Sequence, residues 1–207
     1  MIRRAFLGAA ASALFATTAL ARAAAPVARR QQGTLTLENV PETPPALRES
    51  LRRYQNARSA AFQDWLADGS MLITTRFGQT SQLHHVAAPG GERYQLTFFD
   101  EPVASATALP GASDAFVFSK DTGGDEYYQL YLAGLARPAR ALTTAGTRNQ
   151  SLVFSKDGRR AAWAEVGKGD PDYRIRFADV KDGEIIPEAT ALRTTGATAP
   201  VAVSPDG

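Results

Sequence analysis

The sequence has no cysteine and only two histidines, which removes several kinds of site before any motif is considered. Without cysteine the chain can form no disulfide, no thiolate zinc site, no cysteine nucleophile and no cysteine-linked lipid anchor. The histidines are the neighbours His84 and His85, and neighbouring side chains of a strand point to opposite faces. We therefore expect one imidazole to pack inward and the other to face solvent. Neither a G-x-S-x-G nor an H-E-x-x-H motif occurs, so we predict no catalytic residue, metal site or cofactor in this chain.

The chain also has no large excess of positive or negative charge, with 23 basic and 21 acidic residues. The formal net charge is +2, and it falls to −1 when three arginines of the N-terminal segment, Arg3, Arg4 and Arg22, are removed. Nucleic-acid binding needs a concentrated basic surface. We therefore expect no nucleic-acid partner.

Residues 1–25 have the three parts of a secretory signal. Arg3 and Arg4 form the positive start, residues 5–20 are uncharged and rich in alanine, and several A-x-A cleavage patterns follow. The uncharged stretch is short and weakly apolar for a stable membrane span, which needs about 20 residues. Residues 3–7, with the pattern R-R-x-F-L, also fit the twin-arginine export signal. We expect an exported protein, periplasmic or secreted, that uses either the twin-arginine or the general route.

Residues 26–57 are expected to form an N-terminal arm that includes a short helix. Leucines alternate with polar residues near residues 35–40, which permits a short strand. Leu47, Leu51 and Tyr54 then recur at helical spacing after two prolines. This spacing predicts one short amphipathic helix.

From residue 58 onward, short apolar segments are separated by turn residues, which is typical of an all-β fold. A two-residue turn marker that ends in glycine recurs four times, at Asp68-Gly69, Pro110-Gly111, Asp157-Gly158 and Asp206-Gly207. The successive glycines are 42, 47 and 49 residues apart. Four short antiparallel strands in each such interval is the spacing of a β-propeller blade, whereas a β-sandwich has no fixed period. We predict a partial β-propeller of about three four-stranded blades and the start of a fourth. The boundaries fall at about 58–99, 100–145, 146–192 and 193–207.

The last repeat would stop at its first turn, and roughly four to eight blades are needed to close a propeller. We therefore expect the sequence to be the front part of a longer protein.

The richest polar cluster is residues 121–126, which read D-T-G-G-D-E. Its carboxylates, in particular Asp125 and Glu126, could bind a cation or a substrate amine, and the other interpretation is a solvated hairpin turn. Trp65 and Trp163 fall on predicted strands, and we expect both to pack in the core.

Four segments carry a more specific pattern. They are residues 54–60 (Y-Q-N-A-R-S-A), 65–69 (W-L-A-D-G), 73–78 (I-T-T-R-F-G) and 119–131 (S-K-D-T-G-G-D-E-Y-Y-Q-L-Y). They resemble the start of the propeller in serine peptidases of the prolyl oligopeptidase family, especially exported bacterial members related to dipeptidyl and acylaminoacyl peptidases. The S-K-D-G and S-P-D-G turns, at 155–158 and 204–207, match a short repeat shared by these propellers and TolB-type ones.

The resemblance implies that the propeller sits over an α/β-hydrolase domain and restricts access to small peptides. The catalytic serine, aspartate and histidine come from that later domain, so the parent protein is expected to be a peptidase and this chain alone inactive. Its partners would be a peptide substrate and the missing C-terminal hydrolase domain. The alternative is a stand-alone periplasmic TolB-like propeller that binds protein partners, and a third interpretation is a scaffold without a ligand.

Overall fold

The computed structural model describes residues 27–55 and 58–204, apart from the side chain of Thr190. The predicted signal segment and the turn Asp206-Gly207 lie outside these residues. The described chain begins with an antiparallel hairpin and one helix, which are β1 (Arg29–Gln32), β2 (Leu35–Glu38) and α1 (Pro45–Gln55). The short strand and the short helix expected from the sequence are therefore present. The helix lies on the surface and buries none of its side chains.

The rest of the described chain forms three four-stranded antiparallel sheets, in each of which neighbouring strands follow one another in the chain. The first sheet contains β3 (Ala60–Trp65), β4 (Met71–Thr75), β5 (Gln82–Val86) and β6 (Tyr94–Gln95). The second contains β7 (Ser105–Ala108), β8 (Ala115–Lys120), β9 (Gln129–Gly134) and β10 (Arg140–Ala141). The third contains β11 (Thr147–Phe154), β12 (Arg160–Gly167), β13 (Arg174–Lys181) and β14 (Glu184–Arg193). The predicted all-β class and the grouping of strands in fours are confirmed.

The core lies between successive sheets. Between the first and second sheets, Leu72 and Leu83 pack with Phe116 and Phe118, all at most 1% exposed. Between the second and third sheets, buried aliphatic side chains surround Trp163, which is 2% exposed. Full burial of such a side chain contributes about 1.5–3 kcal/mol to stability. The packing therefore holds each sheet face to face against the next.

The first strands of the first and second sheets lie side by side, and side chains of β3 bind the backbone of β7. The Gln63 side-chain oxygen accepts a hydrogen bond from the Ala106 amide at 3.0 Å, and Asp64 Oδ2 accepts one from the Ala108 amide at 2.9 Å. A register shift between Phe62 and Asp64 aims these polar side chains at the second sheet.

Trp65 does not belong to the core, so its predicted burial is wrong. Its side chain is 55% exposed, and its ring lies 5.2 Å from that of Phe62, which is also exposed. Asp64 occupies the position that faces the second sheet, and its neighbour on the strand consequently points to the other face. Trp163, in contrast, is buried as predicted.

Each of the first two sheets closes with the same pair of hydrogen bonds. Thr97 Oγ1 accepts from the Leu83 amide at 2.9 Å, and Thr143 Oγ1 accepts from the Leu130 amide at 3.0 Å. The amide of the residue before each threonine bonds the carbonyl of that same leucine at 2.8 Å. The Leu-Thr pairs that repeat at the ends of the first two units thus end the sheets by one mechanism.

No helix within the described residues is long and apolar enough to cross a membrane.

Candidate functional site

A cavity of about 380 Å³ separates the first strands of the second and third sheets. Its polar lining comes from β7, β8, β11 and the segment before β9, and includes Ser105, Ser119, Tyr128, Arg148, Asn149 and Gln150. A register shift in β11 follows Gln150, and Ser151 has a φ of 57°. Such a bulge bends the strand and leaves its extra residue unpaired. The bulge therefore shapes the wall of the cavity that faces β7.

Arg148 is the cation of this cavity. Its side chain is half-buried, and its Nε atom is buried without a hydrogen-bond partner. Among the described residues its guanidinium makes no ion pair and no hydrogen bond. An uncompensated guanidinium in a partly desolvated cavity favours an anion, and its planar fork matches a carboxylate.

Hydroxyl groups line the opposite wall. Ser105 Oγ and Ser119 Oγ lie 2.7 Å apart on adjacent strands and share one hydrogen bond. A hydroxyl pair of this kind keeps further donor and acceptor capacity for a polar ligand.

Asn149 holds one side of the cavity in place. Its Oδ1 atom accepts a hydrogen bond from the Trp163 indole at 3.2 Å. Its Nδ2 atom donates to Thr147 Oγ1 at 3.0 Å and to Gln129 Oε1 at 3.3 Å. These bonds fix β11 against β9 and β12, so the neighbouring Arg148 projects from a rigid support.

The predicted site residues Asp125 and Glu126 lie in an exposed loop between β8 and β9. Asp125 Oδ1 accepts a hydrogen bond from the Tyr127 amide at 2.9 Å, which commits that oxygen to the turn. The Glu126 amide donates to Asp121 Oδ2 at 2.9 Å, and Glu126 has a φ of 61°. Among the described residues the Glu126 carboxylate has no hydrogen-bond or ion-pair partner. Neither Asp125 nor Glu126 is part of the cavity lining, which includes Tyr128 from the same segment, and their role in substrate binding remains a prediction.

The loop of residues 121–126 also contacts the N-terminal hairpin of β1 and β2, which the sequence did not predict. The amide and hydroxyl of Thr34 both donate to the Gly123 carbonyl, at 3.2 and 2.9 Å. Only the small Gly33-Thr34 turn marks this contact in the sequence, and its partner lies 89 residues away.

A buried ion pair supports the same loop. Lys120 Nζ lies 3.3 Å from Glu101 Oε2 and 5.0 Å from the centre of the Phe99 ring. Desolvation acts to raise the pKa of Glu101, but hydrogen bonds and the charge of Lys120 outweigh it, so the net direction is downward. Glu101 therefore stays ionised and anchors the Gly123 amide, which donates to it at 3.4 Å.

The histidines are not part of a nucleophilic centre within the described residues. His84 is fully buried, its Nδ1 atom lies 2.9 Å from the Gln82 carbonyl, and its ring packs 5.3 Å from Phe77. Desolvation lowers the pKa of His84. His85, on the opposite face, is half-buried, and the Nε2 atoms of both rings lack a hydrogen-bond partner. Inward packing of one ring is confirmed, while the other is less exposed than expected.

The described residues contain no group of three or more histidine, aspartate or glutamate side chains that could hold a metal ion.

No known family model matches the chain, and no curated protein sequence matches it. Solved structures do. The putative TolB of Agrobacterium tumefaciens matches with a TM-score of 0.50 and 14% identity, over 67% of this chain and 50% of that one. The fold is a partial β-propeller. At this identity the likeness shows the fold alone, and the chain spans about half the length of that structure.

Two further structures match at lower TM-scores. TolB of Acinetobacter baumannii has a TM-score of 0.45 and 21% identity, over 63% of this chain and 32% of that one. A structure from a study of two prolyl endopeptidases has a TM-score of 0.48 and 18% identity, over 84% of this chain and 24% of that one.

Proposed function

We propose that this chain is the substrate-gating propeller portion of an exported serine peptidase that acts on small peptides. The catalytic serine, aspartate and histidine would belong to an α/β-hydrolase domain outside this sequence. Export rests on the pattern of residues 1–25, and the peptidase family rests on the sequence resemblance of residues 54–131.

The observation that carries the proposal is the uncompensated Arg148 in the cavity between the second and third sheets. The cavity volume, about 380 Å³, is within the range of small-ligand sites, roughly 300–1,000 Å³. A short peptide carries an ammonium at one end and a carboxylate at the other. Arg148 would bind the carboxylate, and Glu126, with Asp125 beside it, would attract the ammonium from the loop that precedes Tyr128.

The test separates the two ends of the peptide. A tripeptide with free termini is titrated into the 207-residue chain and into Arg148→Gln by calorimetry. A charge-assisted hydrogen bond contributes about 1.5–3 kcal/mol, so the variant should bind about 10-fold more weakly or worse. A tripeptide amidated at its carboxyl end should bind both proteins equally, because the group that Arg148 recognises is gone.

The opposite end is tested with Glu126→Gln and a tripeptide acetylated at its amino end. The substitution should weaken binding of the free tripeptide and leave the affinity for the acetylated tripeptide unchanged. Arg159→Gln, a substitution of an exposed arginine in the turn between β11 and β12, is the control for a lost positive charge. Equal binding of the free tripeptide by Arg148→Gln, Arg159→Gln and the unchanged protein would refute the role of the cavity.

A TolB-like function, the binding of protein partners, is the second candidate. It is favoured by the exposed aromatic pair Phe62 and Trp65 on the first sheet, which is the type of surface that protein partners cover. Under this function Trp65→Ala should reduce the capture of a periplasmic protein, and Arg148→Gln should not. The peptidase proposal expects the reverse dependence, with peptide binding sensitive to Arg148→Gln and insensitive to Trp65→Ala.

A further inference from the structure

A second, smaller cavity lies where the end of α1 meets the turn between β4 and β5. Its volume is about 170 Å³, and its lining consists of Arg52, Gln55, Arg58, Arg76, Phe77, Gly78 and Gln79. Three arginines and two glutamines thus surround one space, and no acidic residue among those that the structure describes belongs to the lining.

The positive charge of this cavity is only partly compensated. Arg52 pairs with Glu49 at 3.0 Å on the exposed surface of the helix. Among the described residues the guanidinium of Arg58 has no ion pair, and Arg76 has neither an ion pair nor a side-chain hydrogen bond. Like charges held close together repel, and a bound anion removes that cost.

The helix explains only one of the three arginines. Its C-terminal end carries a negative partial charge that favours Arg52 and Arg53 in the last turn. Arg58 and Arg76 lie outside the helix, before β3 and after β4. The helix end therefore does not account for their convergence on this cavity.

Arg58 and the cavity wall are held by aromatic packing. The Arg58 guanidinium lies 5.1 Å from the centre of the Phe77 ring, and that ring packs against the fully buried His84. The Arg58 carbonyl also accepts a hydrogen bond from Arg93 at 2.9 Å. Stacking on an aromatic face restrains a guanidinium and leaves its edge donors free for a ligand.

We propose that this cavity binds a small anion with several oxygen acceptors, such as phosphate or a small carboxylate. Guanidinium forks and side-chain amides are the donors that such oxygens prefer. The volume is below the range of about 300–1,000 Å³ that accommodates drug-sized ligands, so the ligand is an ion rather than a peptide. The site is separate from the peptide cavity and does not depend on the peptidase proposal.

The test is a calorimetric titration of inorganic phosphate, and separately of citrate, into the full 207-residue chain at ionic strength held constant with sodium chloride. We expect saturable binding of at least one of the two anions at one site per chain. Arg76→Gln should weaken it by about 10-fold or more, since a charge-assisted hydrogen bond is lost. Arg58→Gln, a change of an exposed side chain, should also weaken it and serves if Arg76→Gln does not fold.

Arg159→Gln is the matched control. It removes the same charge from a side chain that is 83% exposed and lies in the turn between β11 and β12, outside the cavity lining, so it should leave the affinity unchanged. Lost binding in the cavity variants with intact binding in this control supports the site. No saturable binding of either anion beyond that of chloride, or equal affinities in all the variants, would overturn it. No peptide is present in the titration, so the result is independent of the peptidase proposal.

Discussion

Asp157 holds the turn after β11 with a single carboxylate oxygen. Ser155 Oγ donates to Asp157 Oδ1 at 2.6 Å, and the Arg159 amide donates to the same atom at 3.1 Å. The hydrogen bond from Ser155, and to a lesser extent that from the Arg159 amide, lowers the pKa of Asp157 because it stabilises the ionised carboxylate. The equivalent turn of the first sheet repeats the arrangement, with the Ser70 amide and hydroxyl both donating to Asp68 Oδ1.

A lowered folded-state pKa gives stability that is present above the unfolded-state value and is lost as the pH falls through the folded-state value. We therefore expect acid to shift the urea midpoint downward, in part through Asp157. Asp157→Asn keeps an acceptor oxygen but not the charge, so its midpoint should change less between about pH 2 and 6 than that of the unchanged protein. Glu92→Gln, in an exposed turn, is the control. Parallel pH profiles for Asp157→Asn and the unchanged protein would contradict this account.

The sequence predicted turn residues better than it predicted which side chains are buried. Asp68-Gly69 and Asp157-Gly158 could be recognised because a local hydrogen bond and a positive φ restrict the residue type. The exposure of Trp65 could not be recognised, because it depends on a register shift in the residues before it, between Phe62 and Asp64. Arg148 was missed because no local pattern reveals that an arginine lacks a counter-ion.

The turns of successive sheets contact one another, and two equivalent glycines meet very different surroundings there. A Cβ atom added at Gly158 would lie 2.7 Å from Pro110 Cβ in the turn of the preceding sheet. A Cβ atom added at Gly69 would meet nothing within 4 Å. Both glycines have positive φ, at 72° and 85°, so both positions disfavour other residues.

Gly69→Ala should therefore cost only backbone strain, about 1–2 kcal/mol, whereas Gly158→Ala adds a clash between sheets. Overpacking of this kind costs about 1–3 kcal/mol more. Urea unfolding of both variants measures the difference directly. Equal losses of stability in the two variants would show that the second and third sheets do not pack through these turns.

Element positions followed from the sequence more closely than element lengths did. The turn markers Asp68-Gly69, Pro110-Gly111 and Asp157-Gly158 each lie between the first two strands of a sheet, so their period places the sheets along the chain. The last strand of the third sheet continues to Arg193 and has ten residues, whereas the last strands of the first two sheets have two each. Its extra residues pair with β13, and such non-local pairing leaves little trace in local composition. The docking of Thr34 on Gly123 is non-local for the same reason.

Across the whole molecule, the outermost strands of the three sheets differ most. In the first two sheets these strands, β6 and β10, have two residues each, whereas β14 in the third sheet has ten. A long edge strand offers unpaired backbone groups to another chain. Within β14, Pro187 has no amide hydrogen and pairs with Ala178 at a register shift. A proline at this position interrupts the edge and opposes pairing between molecules.

Pro187→Val should therefore increase self-association of the chain. Valine supplies the missing amide donor and favours extended structure, so β14 becomes a continuous edge beside the exposed Ile186. Sedimentation velocity over a series of protein concentrations measures the associated fraction. Pro187→Lys is the matched control, because it restores the same amide but places a charge on the edge, and it should associate no more than the unchanged protein. If Pro187→Val and the unchanged protein sediment alike at every concentration, Pro187 does not protect this edge.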